Sequence, residues 1–192
     1  ALLLVVCLSA LTVEQTAKWR NSVDLWTYVI EKEPERVPIA YNNRGMVFYR
    51  TGRFDEAIAD FDRAIKARPS YIDAYSNLGM AWYQTGRLDR ALEHFDKAIA
   101  LDPGYYKAYN NRAMTLGRMG RFDAAVADYH RAIALNPSSP QAYYNLGVLH
   151  AQSGLFDQAI GYFSRSLAAD PGYADAYLGR GMAFSIIGEV DR

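Results

Sequence analysis

A short motif returns along this chain at a fixed step of 34 residues, and that period constrains the fold more than any other feature. Gly45, Gly79, Ala113, Gly147 and Gly181 keep the step. So do Gly52, Gly86, Gly120, Gly154 and Gly188, the alanines Ala57, Ala91, Ala125 and Ala159, and the prolines Pro69, Pro103, Pro137 and Pro171. A period of this length marks a stack of small supersecondary units, in which each unit touches only its neighbours and the core is a ribbon. Within each copy the apolar residues recur at helical spacing, as with Tyr75, Gly79 and Trp82, and then Ala91, Phe95 and Ala98. Each copy therefore reads as two helices. The glycine between them suits the left-handed residue that ends a helix. Asp55, Glu56 and Asp89 fall in the first turn of a second helix, where a carboxylate favours the helix dipole.

The motif aromatic-x-x-Leu-Gly-x-x-aromatic, then Ala-x-x-x-Phe, then Pro, resembles the tetratricopeptide repeat over residues 38 to 192. The resemblance implies an all-α, right-handed superhelical solenoid of antiparallel helix pairs. Copies are expected at 38–71, 72–105, 106–139 and 140–173, with a truncated fifth at 174–192. Helices are expected at 38–51, 53–67, 72–85, 87–101, 106–119, 121–135, 140–153, 155–169 and 174–187.

Ala1 to Val13 carries no charge, and Lys18, Trp19 and Arg20 follow it, the residue types found where a helix leaves lipid. Residues 1–13 are expected to be the end of a transmembrane helix, and 14–37 a junction with a capping helix that packs on the first copy. The junction, with Leu25-Trp26, Pro34 and Tyr41-Asn42-Asn43-Arg44-Gly45, is similar to that of membrane-embedded O-mannosyltransferase-like glycosyltransferases that end in such repeats. That resemblance implies a membrane-anchored protein with its repeats on the extracytoplasmic side, in periplasm or lumen, and leaves a cytoplasmic placement open. The catalytic part would precede Ala1, so this chain itself is expected not to be an enzyme.

Lys+Arg and Asp+Glu both number 21, a formal net charge of zero, which argues against a general nucleic-acid binder. Cys7 is the only cysteine, so no disulfide closes within the chain. No catalytic, cofactor or metal-ligand pattern is present. His94, His130 and His150 are scattered, and His150 takes the slot of Phe48, Trp82, Leu116 and Phe184, as a packing residue would. The expected partner is a protein or peptide, with self-association through the ends of the stack as a further expectation.

The family resemblance puts the first helices on the concave face. The candidate peptide-binding residues there are Asn43, Asn77, Asn111 and Asn145, in phase two residues before the small position. This row is similar to the asparagine ladder of O-linked N-acetylglucosamine transferases, which implies bonding to a ligand backbone. Bonding to a neighbouring helix is the alternative. Asn42, Ser76, Asn110 and Tyr144, the methionines Met46, Met80, Met114 and Met182, and Tyr49, Tyr83, Arg50, Gln84, Arg118 and Gln152 complete the expected groove. Asn, Ser or Tyr stand where chaperone-binding members carry the lysines of a carboxylate clamp. The residue before the small position alternates as Arg44, Leu78, Arg112, Leu146 and Arg180, and Asp60 and Asp128 follow the first and third copies' arginines by 16 residues. Buried Arg44–Asp60 and Arg112–Asp128 ion pairs are therefore expected, against the alternative that these arginines hold acidic ligand groups.

Overall fold

The computed structural model describes residues 22–32 and 37–190, and these are helical with short turns and no strand among them. It divides into two units, residues 1–87 and 88–192. The first holds α1 (Ser22–Lys32), α2 (Val37–Arg50), α3 (Phe54–Ala67) and α4 (Ile72–Gln84). The second holds α5 (Leu88–Leu101), α6 (Tyr106–Arg118), α7 (Phe122–Leu135), α8 (Pro140–Gln152), α9 (Phe156–Ala169) and α10 (Ala174–Val190). From α2 onward every helix begins at or beside its expected position. α10 is the exception at its far end, running through Gly188 to Val190. Residues 1–13 and most of the junction lie outside the described residues. Among the described residues, no helix is long and apolar enough to cross a membrane.

The first helices α2, α4, α6 and α8 end in the same way. Gly52, Gly86, Gly120 and Gly154 take φ of 76, 77, 74 and 75°, a region that costs glycine nothing. The next residue's N–H then reaches back to a carbonyl five residues earlier: Arg53 to Phe48 at 2.9 Å, Arg121 to Leu116 at 2.9 Å and Leu155 to His150 at 2.9 Å. This closure satisfies carbonyls that the helix end would leave bare.

In the first unit, α1 packs on α2, α2 on α3 and α3 on α4. The stripe Ala57, Phe61 and Ala64 on α3 is fully buried, and Phe61 lies in one cluster with Phe48, Leu78 and Ala81. A Cβ on Gly45 would stand 2.8 Å from the Phe61 ring, so the small slot is what lets the aromatic ring come this close to the first helix. The second unit repeats the arrangement. Ala113, Leu116, Ala125, Tyr129 and Leu146 form one cluster, and Ala159, Phe163 and Ala183 another.

Candidate binding surface and the buried charge pairs

The predicted charge pairs are present. Arg44 donates from Nε to Asp60 Oδ2 at 2.7 Å and from Nη2 to Oδ1 at 2.9 Å, a two-pronged bond across α2 and α3. Nη1 donates to Thr27 Oγ1 of α1 at 2.9 Å. The Asp60 side chain is 1% exposed and also accepts from Arg63 at 2.9 Å. In the second unit Arg112 bonds Asp128 at 2.6 and 2.7 Å, and Asp96 at 2.6 Å. Bonding to Asp60, and to Asp128 and then Asp96, raises the pKa of both guanidinium groups against the opposing effect of burial. These arginines are committed to the scaffold, and the alternative that they hold acidic ligand groups falls. Arg180, in the same slot of α10, donates to Ser164 at 3.3 Å.

The asparagines are engaged in part. Asn77 Nδ2 donates to Asn42 Oδ1 at 2.9 Å, and Asn145 Nδ2 donates to Asn110 Oδ1 at 3.1 Å. Asn42 and Asn110 are buried, 6% and 5% exposed, and each donates to the neighbouring Asn43 or Asn111. One N–H of Asn77 and one of Asn145 is thus spent on tying α2 to α4, or α6 to α8. Gln84 Nε2 donates to the Tyr49 hydroxyl at 3.1 Å on the same two helices of the first unit. Asn43, Asn77, Asn111, Asn145, Met46, Met80, Met114, Tyr49, Tyr83 and Tyr144 are half-buried, and Arg50, Gln84, Arg118 and Gln152 are exposed or nearly so. The structure therefore brings the candidates together as two patches, α2 with α4 and α6 with α8.

In the second unit Tyr144 and Gln152 also border an open groove of about 330 Å³ between α8 and α10. Its lining includes Met182, in the slot of Met46, Met80 and Met114, together with Val148, Ala151, Leu178 and Ile186, which are not among the expected groove residues. The signal was present in phase: Leu178 holds the slot of Asn42 and Asn110, and Ile186 that of Arg50 and Arg118. Burial, and then the Asp175 carboxylate, raise the Tyr144 phenol above its ordinary pKa, and the same two influences lead at Tyr173.

His150 is a packing residue, as expected. It is 4% exposed, its Nδ1–H donates to the Leu146 carbonyl at 2.9 Å, and its ring meets those of Phe122 and Tyr162 at 5.4 and 4.9 Å. Among the described residues no three His, Cys, Asp or Glu side chains converge as a metal site would require.

A helix-pair repeat with a left-handed glycine between its helices, an aromatic ring on a small slot and a polar first-helix face defines a class of interaction scaffold. The tetratricopeptide repeat model matches residues 10–72, 42–106, 110–174 and 150–191, and the chain belongs to that family. Among solved structures, MamA is 30% identical with a TM-score of 0.63, covering 75% of this chain and 84% of its own. A thermophilic tetratricopeptide repeat protein of Thermus thermophilus is 22% identical with a TM-score of 0.76, over 94% of this chain and 95% of that one. The first repeat domain of Spaghetti, solved with the HSP90 peptide SRMEEVD, is 23% identical with a TM-score of 0.58, over 62% and 94%. The latter two show the fold alone. No curated protein matches.

Proposed function

We propose that the chain is a non-catalytic protein-interaction module that takes extended peptide or protein segments on its first-helix faces. One observation carries this reading. The second helices close the core with Ala57, Phe61 and Ala64 or their counterparts, while the first helices keep Asn, Met, Tyr, Arg and Gln at or near the surface. Asparagine amides offer donors and an acceptor to a main chain of any sequence, and methionine adapts to varied side chains. A repeat domain of the same fold, that of Spaghetti, is bound to a peptide, which is in keeping with a peptide ligand here.

Photo-crosslinking tests it. A crosslinking amino acid at Arg118 or Gln152 should capture members of a panel of short synthetic peptides. The same group at Lys97 or Asp157, exposed on second helices, should not. Capture at Lys97 and Asp157 alone, or no capture anywhere, would overturn the reading.

A second reading makes the module the substrate-recruiting tail of a membrane glycosyltransferase. The uncharged run Ala1 to Val13, followed by Lys18-Trp19-Arg20, favours it. The coding sequence upstream of Ala1 is its test: further apolar spans with acidic loop residues support it, and a soluble domain there removes it.

A further inference from the structure

Along the second unit the phase-equivalent first-helix positions change chemistry. α6 presents Asn110, Asn111 and Arg118, α8 presents Tyr144, Asn145 and Gln152, and α10 presents Leu178, Gly179 and Ile186. Leu178 and Met182 are 66% and 58% exposed, and they form one wall of the groove against Val148 and Ala151 on the other. The buried Phe163 ring also lines it. A Cβ on Gly179 would stand 2.8 Å from that ring, so α10 meets it closely where the other copies carry the ladder asparagine. Among the described residues, the one charged side chain on the lining is Asp175, exposed in the first turn of α10.

We propose that this groove is an anchoring subsite for one large apolar side chain, of the leucine, methionine or phenylalanine kind, on a peptide segment that carries lysine or arginine beside it. The proposal rests on the groove reading above and names its ligand class. Apolar walls favour a side chain leaving water, and the volume lies at the low end for a ligand pocket, enough for a single anchor. The Asp175 carboxylate attracts a cation at the mouth and repels an acidic neighbour. With Gly179 in the ladder slot, this copy has no amide to read a main chain and reads a side chain instead.

The test uses three labelled synthetic peptides in a glycine-serine background, with Leu-Lys, Leu-Glu or Ser-Lys at the centre, titrated against the whole chain. Leu-Lys should bind about tenfold more tightly than Ser-Lys, the worth of one buried apolar side chain, and about threefold more tightly than Leu-Glu, since the Asp175 carboxylate is exposed. The double substitution Leu178→Ser/Met182→Ser, on exposed side chains, should remove that preference for leucine. Asp175→Lys, also exposed, should abolish the preference for Leu-Lys over Leu-Glu, and it stands as an independent variant should the double one fold poorly. Three results would overturn the subsite: Leu-Lys bound no better than Leu-Glu, undiminished binding to the double variant, or dimerisation of the wild type that the double variant abolishes, which would assign the groove to a second copy. If peptides still crosslink at Arg118 in those cases, the groove reading survives. If no peptide crosslinks there or at Gln152, both fall.

Discussion

Asp60 is the residue at which desolvation and pairing weigh most heavily against each other. Its carboxylate is 1% exposed and holds Arg44, itself 15% exposed, by two bonds. Asp60→Ala leaves Arg44 with a hydroxyl partner alone and should cost ~3–5 kcal/mol in urea unfolding, the penalty for stranding a buried charge. Asp128→Ala should cost less, about 1–3 kcal/mol, because Asp96 still holds Arg112 and that site is more open. Equal losses in the two variants would count against desolvation as the source of the difference. The asparagines obey the same logic with neutral groups. Asn77→Ala removes the donor to buried Asn42 and should cost about 1–3 kcal/mol, whether or not a ligand is present. Full stability in Asn77→Ala would show that the Asn42 bond contributes nothing. Both charge pairs were legible in the sequence, since an alternation of Arg with Leu matched an alternation of Asp with uncharged slots. The double use of the ladder amides was not, because spacing cannot say which way an amide points.

At the level of the helices, one repeat slot should respond to the same substitution with opposite sign. A Cβ on Gly147 would stand 2.8 Å from the Phe163 ring and 3.3 Å from the Ala159 carbonyl, so Gly147→Ala should force α8 and α9 apart and lower stability by about 1–3 kcal/mol. At Gly181 a Cβ meets nothing within 4 Å, and Gly181→Ala should raise the stability of α10 by up to ~1 kcal/mol, the helix propensity gained. Thermal melts of the two variants, read by circular dichroism, check both signs. Helix starts were readable because turn glycines, first-turn carboxylates and prolines mark them from copy to copy. The end of α10 was not. Gly188 keeps the phase of the turn glycines, yet among the described residues only Gly52, Gly86, Gly120 and Gly154 take the positive φ. In the first, third and fourth copies the chain turns there to lay its second helix on the first, and among the described residues no second helix follows α10. The apolar groove was missed for a related reason: reading each slot as one family-wide position hid the change from polar residues to Leu178 and Ile186 in the fifth copy.

For the molecule as a whole, alkaline pH is the most informative condition. Folding raises the phenol pKa of Tyr71 in the first unit and of Tyr144 and Tyr173 in the second, through burial first in each case. The folded state then holds these protons more tightly than the unfolded chain. Its stability contribution is complete below a phenol's ordinary pKa of about 10 and is lost as pH climbs through the folded values. The melting temperature should therefore fall above about pH 10, and less steeply in Tyr144→Phe or Asp175→Asn. Parallel curves for wild type and Tyr144→Phe would remove Tyr144 from the explanation. The alternation of Arg with Leu has a consequence for engineering. Repeat proteins are commonly stabilised by averaging their copies into a consensus, and here that average would do harm. An all-leucine choice would replace Arg44 and Arg112, leaving the buried Asp60 carboxylate with the exposed Arg63 alone and taking from Asp128 its two-pronged partner. An all-arginine choice would set a guanidinium at Leu146, which is 0% exposed, in a copy that carries Tyr162 where the first and third copies carry aspartate. Leu146→Arg should accordingly be among the least tolerated substitutions in the second unit, seen as loss of the cooperative melt. A consensus taken over odd and even copies separately would keep every charge with its counter-charge, so the backbone has one period and its chemistry has another, twice as long.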